Sequence, residues 1–297
     1  MKHAYLLIVF HEPYILEKIL KLIDDERNDI YIHVDKKWKN FDFGYFKNIV
    51  QKSNIYFTER MDVRWGTYDQ IECELLLLKK ATENNKYEYY HLLSGVDIPI
   101  ANQDIIHDFF DKNQGKEFIS FEYHDKILSK DNDRIKYYHI LNRNLRSNNK
   151  IIKNINKLIY KFLLSVQKIF RINRLKKTNL EIRKGANWFS ITDDLARYVL
   201  IEQEKNKKIF CKSLCADELF LQTIVYNSDF YKNIISYKND DTLSIKRYID
   251  WKRGEPYTFK NSDFNELINS NCFFARKFST KIDKKIVDEI YNYVIKL

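Results

Sequence analysis

The sequence predicts an α/β fold, and three observations support this prediction. Short apolar segments alternate with amphipathic ones through the N-terminal half, which is the order of parallel strands joined by helical crossovers. Of the 297 residues, 44% are hydrophobic and only six are Gly and three Pro, so the chain can form a substantial core. The length fits one or two domains, but no segment rich in Pro, Gly or Ser divides the chain. We therefore expect a single domain over residues 1–297.

Four strands and two helices are predicted in the N-terminal half. The strands are expected at 4–10, 29–34, 55–57 and 87–93, and the helices at 13–23 and 67–82. Pro13 stands in the first turn of its helix, where its missing N–H group is tolerated. The second half predicts strands at 118–123 and 188–191, and helices at 194–204, 217–226 and 284–295.

Polar residues follow two of the predicted parallel strands. Asp35 comes directly after the second strand, and the turn from Ser94 to Asp97 follows the fourth. Open α/β sheets bind their ligands beyond the carboxyl ends of the strands. These residues are therefore candidates for a binding site, although aspartate at a strand end also caps turns.

Positive charge is concentrated in one segment of the chain. The net charge is +10, yet residues 126–184 contain 17 Lys and Arg residues and three acidic residues, a net charge of +14. Within this basic insertion, apolar residues recur at three-to-four spacing, which predicts an amphipathic helix over 151–172. The apolar positions are Ile151, Ile152, Ile155, Leu158, Ile159, Phe162, Leu163, Val166, Ile169 and Phe170, and the basic positions between them are Lys153, Lys157, Lys161, Lys168 and Arg171.

Three interpretations of this helix are open at the level of sequence. It is a surface helix packed on the domain with a solvated cationic face, or a helix that docks on an anionic membrane. Nucleic acid is the weakest candidate partner, because no helix-turn-helix, zinc-finger or aromatic RNA-binding pattern accompanies the charge. We therefore expect no nucleic-acid partner.

The N-terminal apolar run and the cysteines indicate a protein of the cytosol. The run ends at Glu12 and Pro13, before it could form the core of a signal peptide or a membrane span. The cysteines are too sparse for a disulfide framework, and we expect reduced, mostly buried thiols at Cys73, Cys211, Cys215 and Cys272.

Six short clusters carry the functional signal, since the common nucleotide-phosphate, dinucleotide, zinc-protease and serine-hydrolase motifs are absent. Read in order, the clusters resemble glycosyltransferase family 14, the core-2/I-branching β-1,6-N-acetylglucosaminyltransferases and peptide O-xylosyltransferases. The resemblance runs from about Ala4 to Phe278 and is interrupted by the basic insertion. The clusters are Arg64-Trp65-Gly66-Thr67, Leu93-Ser94-Gly95-Val96-Asp97-Ile98-Pro99, Gly185-Ala186-Asn187-Trp188-Phe189, Ala216-Asp217-Glu218, Arg247-Tyr248-Ile249-Asp250-Trp251 and Phe274-Ala275-Arg276-Lys277-Phe278.

The resemblance implies a GT-A nucleotide-sugar fold and an inverting reaction without a bound metal. Metal-using GT-A enzymes carry an Asp-x-Asp pair after the fourth strand, whereas this chain has the single carboxylate of Asp97 there. The literal pair, Asp131 and Asp133, lies in the basic insertion, where we expect a loop. No cofactor and no metal ligands are therefore expected, and a UDP-sugar is the expected donor.

The composition also indicates the source of the chain. The abundance of Lys, Asn and Ile is typical of an A+T-rich bacterial genome.

Cationic side chains are expected to take the place of the metal. The family pattern sets Arg276 and Lys277 near the donor diphosphate, and Arg and Lys both bind phosphate oxygens. Lys277 matches the Asn-Lys-Phe ending of the N-acetylglucosaminyltransferase branch. A second family arginine has no clear match, and Arg253 or Arg247 could replace it. An ordinary exposed basic pair is the alternative for Arg276 and Lys277.

Glu218 matches the catalytic glutamate of the family, which removes the proton of the acceptor hydroxyl. By itself, an acidic residue in the first turn of the predicted helix 217–226 also fits a capping role.

The remaining candidates are expected to contact the two substrates or to shape the site. Asp35, Asp97 and His11 are expected at the uridine, Gln70 beside the Gly66 turn, and Trp188, Asp250 and Trp251 at the acceptor.

The expected function is an inverting, metal-independent glycosyltransferase of bacterial surface polysaccharide synthesis. It would act on a glycan acceptor linked to a polyprenyl diphosphate, at the inner face of the cell membrane. The alternative is a non-catalytic nucleotide- or carbohydrate-binding protein that retains the fold.

Overall fold

The computed structural model describes residues 2–122, 129–140, 142, 149–235 and 240–297, with the side chains of 129–131 and 177 left out. These residues form two β-sheets and the helices that cover them. The strands are β1 (His3–Val9), β2 (Asn28–Val34), β3 (Asn54–Phe57), β4 (Tyr89–Ser94), β5 (Asp97–Pro99), β6 (Phe118–Ile119), β7 (Phe189–Thr192), β8 (Arg247–Ile249) and β9 (Phe274–Arg276).

The larger sheet has the strand order β3-β2-β1-β4-β7-β6. Strands β1 to β4 are parallel to one another, while β7 runs antiparallel to both of its neighbours. The predicted α/β fold with a mostly parallel sheet is therefore confirmed.

Helices cover both faces of this sheet, because successive residues of a strand point to opposite sides. Tyr5 and Leu7 alternate with Ala4 and Leu6 in two separate apolar cores. The helices are α1 (Pro13–Ile23), α2 (Phe43–Ile49), α3 (Asp69–Asn84), α4 (Gln103–Lys112), α5 (Ser129–Lys136), α6 (Lys150–Ile169), α7 (Asp193–Phe210), α8 (Phe220–Tyr226), α9 (Asp241–Ile245), α10 (Phe264–Ile268) and α11 (Lys284–Val294).

Several helices begin at a side chain that caps their first turn. Asn102 accepts a hydrogen bond from the N–H group of Ile105 at the start of α4, and Thr192 does the same for Leu195 in α7. Such caps satisfy N–H groups that have no partner within the helix. The helix predicted at 13–23 is confirmed to the residue by α1.

The smaller sheet has the order β5-β9-β8 and is joined to the larger one by a buried arginine. Arg247 of β8 is 1% exposed, and its Nη2 donates to the carbonyl oxygens of Leu92 in β4 (2.7 Å) and Phe189 in β7 (2.8 Å). Its Nη1 donates to the carbonyl oxygen of Ile245 at 3.0 Å. One side chain thus fixes the position of the smaller sheet against the centre of the larger one.

Three local predictions are wrong. The helix expected at 217–226 is divided into a short 3-10 turn, Ala216–Glu218, and helix α8. The strand expected at 118–123 ends at Ile119, and the loop expected around Asp131 and Asp133 belongs to helix α5. Strands β5, β8 and β9 were not predicted, since three residues are too few to show a period of two.

Helix α6 confirms the predicted basic helix but not its packing on the domain. Tyr160 and Gln167 face the protein, where the Tyr160 hydroxyl bonds His139 at 2.6 Å and the Gln167 amide bonds both main-chain groups of Tyr138. The apolar stripe points the other way, with 54% to 75% of each residue exposed. This stripe consists of Ile151, Ile155, Leu158, Phe162 and Ile169.

The four cysteines are free, and three of them are buried, as predicted. Within the described residues, no helix combines the length and the hydropathy needed to cross a membrane.

Replacing Arg247 with Met should destabilise the fold by roughly 3 kcal/mol or more, because three buried carbonyl oxygens lose their donor. Urea unfolding followed by circular dichroism measures this change. The control is Arg253→Met, which removes more exposed ion pairs that are each worth about 1 kcal/mol or less. Equal losses in the two variants would show that Arg247 does not join the sheets.

Candidate functional site

The carboxyl ends of β1, β2 and β4 meet at one edge of the larger sheet. Val9 pairs with Val34, and Ile8 pairs with Ser94. The main chain continues this alignment, since the N–H groups of Asp35 and Gly95 donate to the carbonyl oxygens of Val9 and Ile8. The predicted cluster of polar residues beyond these strands is therefore brought together.

Asp35 is buried and organises the loop beside it. Its Oδ1 accepts a hydrogen bond from the N–H group of Lys37 at 2.7 Å, and its Oδ2 accepts one from the N–H group of Val63 at 3.1 Å. The ammonium group of Lys37 lies 3.0 Å from the same carboxylate. Asp35 thus holds segment 60–64 against the sheet edge and lies at the base of the site.

Asp97 and Arg276 form an ion pair at the centre of this edge. They stand opposite each other in the β5–β9 pairing, and the Nη1 atom of Arg276 lies 2.6 Å from Oδ1 of Asp97. Nη1 also donates to the hydroxyl of Ser94, whose N–H group donates to Oδ2 of Asp97 at 2.8 Å. The turn after β4 and the end of β9 are therefore one hydrogen-bonded unit, and Asp97 carries charge that partly balances Arg276.

Trp188 lies beneath the guanidinium group of Arg276. The distance from the guanidinium carbon to the ring is 4.6 Å, which is a cation–π contact. Trp188 is buried, so most of its surface is used inside the protein and little remains for the acceptor contact predicted from sequence.

Lys277 and His11 lie next to this ion pair. Among the described residues, the half-buried Lys277 side chain has no hydrogen-bonding or ionic partner, so its ammonium group can bind a ligand. His11 is exposed and stacks on Phe10. The pKa of His11 is lowered chiefly by lost hydration; the charge of Glu12 opposes this change, while the charges of Lys281 and Arg276 add to it.

Glu218 lies at the end of the 3-10 turn, and two other clusters shape the main chain around it. Its carbonyl oxygen accepts a hydrogen bond from the N–H group of Gly185 at 3.0 Å. A side chain at position 185 would collide with the carbonyl oxygen of Ser120, so glycine is required there. Gly66 has a φ of +74°, which glycine adopts readily. Its carbonyl oxygen accepts a hydrogen bond from the N–H group of Cys215 at 3.0 Å.

The carboxylate of Glu218 is paired with an arginine that sequence analysis did not identify. Nη1 of Arg134, on helix α5, lies 2.7 Å from Oε2 of Glu218. No motif marks Arg134 in the sequence, because the basic insertion contains many similar residues.

Two buried acids lie behind Glu218. Asp217 accepts a hydrogen bond from Gln70 at 2.7 Å, and Gln70 also accepts one from the N–H group of Gly66, which confirms its expected contact with the Gly66 turn. Burial, followed by the charge of Glu218, raises the pKa of Asp217 to about 7. Burial, followed by Asp217, raises the pKa of Glu74 well above its usual range. Both acids therefore keep a proton to higher pH than an exposed carboxyl group does.

Arg253 and Asp250 form a separate cluster beyond β8. Arg253 is paired with the carboxylates of Asp250, Asp263 (2.8 Å) and Glu266 (2.8 Å). Asp250 also accepts hydrogen bonds from two N–H groups of its own turn. Trp251 is exposed, while Arg247 is enclosed by carbonyl oxygens. Arg247 therefore cannot serve as the second phosphate-binding arginine, and all three donor groups of Arg253 are already engaged.

Five of the six sequence clusters supply two adjacent sets of groups, while the cluster from Arg247 to Trp251 belongs to β8 and the turn after it. Ser94, Asp97, Arg276 and Lys277 form a cationic edge, while the segments around Gly66, Gly185 and Glu218 hold a carboxylate. Trp188 joins the two sets, since it belongs to the Gly185 cluster and contacts Arg276. This arrangement can bind an anion and accept a proton within one site. In the described part of the chain, no group of three or more His, Cys, Asp or Glu side chains is placed to hold a metal ion.

Comparisons with known proteins find a family model and several relatives that match most of the chain. A family model described as Core-2/I-Branching enzyme matches residues 3–271. Xylosyltransferase sqv-6 of Caenorhabditis briggsae is 25% identical over 299 residues, covering 92% of this chain and 34% of that protein. Xylosyltransferase 2 of Rattus norvegicus is 23% identical over 310 residues, covering 96% of this chain and 33% of that protein. The chain spans about a third of the length of these relatives.

Similarity to solved structures is low. TarS of S. aureus is 12% identical with a TM-score of 0.27, covering 49% of this chain and 26% of that one. Mouse xyloside xylosyltransferase 1 in its apo form is 10% identical with a TM-score of 0.38, covering 92% of this chain and 97% of that one. These TM-scores are too low for either structure to support a statement about this chain.

Proposed function

The chain belongs to the Core-2/I-Branching enzyme family, and from this premise we propose that it is an inverting, metal-independent glycosyltransferase. It moves a sugar, N-acetylglucosamine or a related one, from a UDP-sugar to a hydroxyl group of a glycan acceptor, using a GT-A fold. One observation carries the proposal. The contact between Trp188 and Arg276 joins the cationic edge to the segments that hold the Glu218 carboxylate.

Glu218 is the base of the reaction. The acceptor oxygen attacks the anomeric carbon from the face opposite UDP, and its proton passes to the carboxylate of Glu218. The new carbon–oxygen bond forms as the bond from the anomeric carbon to the diphosphate breaks, and the electron pair leaves with UDP. Glu218 suits this role because its side chain is partly exposed while its main chain is fixed by Gly185.

Arg276 and Lys277 neutralise the leaving diphosphate. Arg276 is oriented by Asp97 and Trp188, so it requires little reorganisation to donate to phosphate oxygens. Lys277 supplies an ammonium group without a partner among the described residues. Arg253 contributes only if it leaves its three carboxylates.

The remaining site residues take supporting roles. Asp35, Asp97 and His11 surround the uridine at the sheet edge, and Asp35 does so chiefly by shaping the loop at 60–64. Trp251 is the exposed aromatic residue that stacks on the acceptor, and Asp250 fixes the turn that carries it. Trp188 contributes indirectly, by orienting the guanidinium group of Arg276.

Glu218→Gln should reduce sugar transfer by roughly 10² to 10⁴, because the amide cannot accept the acceptor proton. UDP affinity should stay nearly unchanged, since the substitution is isosteric. Turnover across a panel of UDP-sugars and calorimetric UDP titration measure the two quantities.

The matched control for this variant is Glu204→Gln, on the exposed face of α7. If wild type binds UDP but transfers no sugar to any acceptor, the chain is instead a non-catalytic nucleotide-binding protein that retains the fold.

Lys277→Ala should weaken UDP binding by roughly 10- to 100-fold, the worth of a charge-assisted hydrogen bond. Uridine, which lacks the diphosphate, should bind both proteins equally. Lys285→Ala, which changes an exposed lysine of α11, is the control.

Sugar transfer by the wild-type protein should persist in EDTA. Loss of activity that Mn²⁺ restores would overturn the metal-free mechanism but leave sugar transfer intact.

Helix α6 supports a membrane-bound acceptor. Its exposed apolar stripe is flanked by Lys157, Lys161 and Lys168, and residues 150–169 contain no acidic side chain. An apolar face beside cationic residues is the pattern of helices that lie in the interface of an anionic bilayer. We therefore propose that residues 151–172 dock a cytoplasmic bacterial enzyme on the inner face of the membrane, where a polyprenyl-diphosphate-linked acceptor of surface polysaccharide synthesis is available.

Exchanging Lys153, Lys157 and Lys161 for Glu should abolish flotation with vesicles that contain phosphatidylglycerol. Each basic residue near an anionic surface contributes roughly 1 kcal/mol, and the exchange reverses three charges. The control exchanges Lys205, Lys207 and Lys208 of α7 for Glu, which changes the net charge equally but leaves α6 intact. Unchanged flotation of the α6 variant would contradict membrane docking, and so would a stable dimer that buries the stripe.

A further inference from the structure

The carboxylate of Glu218 is held at one of its two oxygens. Nη1 of Arg134 donates to Oε2 at 2.7 Å, while Oε1 accepts no hydrogen bond from the described residues. The Glu218 side chain is 35% exposed and the Arg134 side chain 25%, so the pair is partly open to solvent rather than in the core.

The main chain fixes this pair as well. The N–H group of Leu214 donates to the carbonyl oxygen of Arg134 at 2.9 Å, and that of His139 donates to the carbonyl oxygen of Lys212 at 2.8 Å. Helix α5 and the turn after it are therefore bonded to the segment that leads directly into the 3-10 turn of Glu218. Main-chain and side-chain contacts together set the distance between the guanidinium group and the carboxylate.

The charged groups around Glu218 make Arg134 its cationic partner in the described part of the chain. Asp217 lies on the same 3-10 turn, and Glu74 approaches Asp217 from α3. In the described part of the chain, neither of these buried acids forms a salt bridge. Without the guanidinium group, the Glu218 carboxylate would keep no cationic partner among the described residues.

We propose that Arg134 is a positioning residue for the reaction. It holds Oε2 and directs Oε1 to the acceptor hydroxyl. This inference rests on the proposed function, because it assigns Glu218 the role of base. The basic insertion thus contributes directly to the site, although Arg134 lies outside the six sequence clusters.

Arg134→Gln tests the inference, with Arg134→Lys as the conservative variant and Lys136→Gln as the control that removes a charge from the same helix. In Arg134→Gln, kcat should fall roughly 10- to 100-fold, the cost of a misplaced reacting group, while KM for the UDP-sugar changes little. Arg134→Lys should recover most of the lost kcat, and Lys136→Gln should resemble wild type.

A second measurement does not depend on turnover. In protein labelled with ¹³C at glutamate carboxyls, the signal of Glu218 is assigned by its loss in Glu218→Gln. At a fixed pH its chemical shift should differ between Arg134→Gln and wild type, because Oε2 loses its hydrogen bond, and thermal unfolding confirms that both proteins are folded. An unchanged chemical shift overturns the inference, whether or not sugar transfer is found. Wild-type kcat in Arg134→Gln would also overturn it. A changed chemical shift together with absence of transfer in wild type would instead overturn the proposed function.

Discussion

The buried guanidinium group of Arg247 determines where the two halves of the site lie. Moving a cation out of water is costly, and here the cost is offset by hydrogen bonds to three carbonyl oxygens of Leu92, Phe189 and Ile245. Burial lowers the pKa of Arg247 to about 10, which leaves the group charged at neutral pH. Because Arg247 begins β8, its bonds to β4 and β7 fix the smaller sheet, and β9 follows by pairing with β8.

The position of β9 in turn places a cation at the carboxyl edge of the larger sheet. Its last residue, Arg276, stands opposite Asp97, which ends the turn after β4. The ion pair and the ring of Trp188 orient the guanidinium group from two sides. Lys277 continues the chain with an ammonium group that the described residues leave unpaired. The site therefore combines one oriented cation and one adaptable cation, which suits an anionic ligand.

The basic insertion contributes two different features to the protein. Helix α6 exposes an apolar stripe with lysines along its edge, and helix α5 presents Arg134 to Glu218. An ion pair of 2.9 Å between Lys168 and Asp133 joins the two helices, and the amide of Gln167 bonds Tyr138 in the turn after α5. The surface proposed for docking and the residue proposed to position the base therefore belong to one structural unit.

The sequence alone determined the fold class, the longer helices and most strands of the larger sheet, and the family, which the match over residues 3–271 confirms. These features are local: apolar periodicity defines an element within about ten residues, and each motif is a continuous run. The predicted roles of Glu218, Arg276 and Lys277 remain predictions, but the structure does bring their motifs into one site. The three-residue strands of the smaller sheet were too short for their period to be recognised.

Tertiary structure alone decided which of several similar residues meet. Arg247, Arg253 and Arg276 are all arginines near the C-terminus, yet one is buried among carbonyls, one pairs with three surface carboxylates and one lies at the site. Arg134 is one of 17 basic residues in its segment, and its contact with Glu218 spans 84 positions. The outward direction of the apolar stripe of α6 was equally hidden, since periodicity defines a face but not what covers it. Such contacts depend on how distant segments pack, and that information is not contained in any single stretch of the chain.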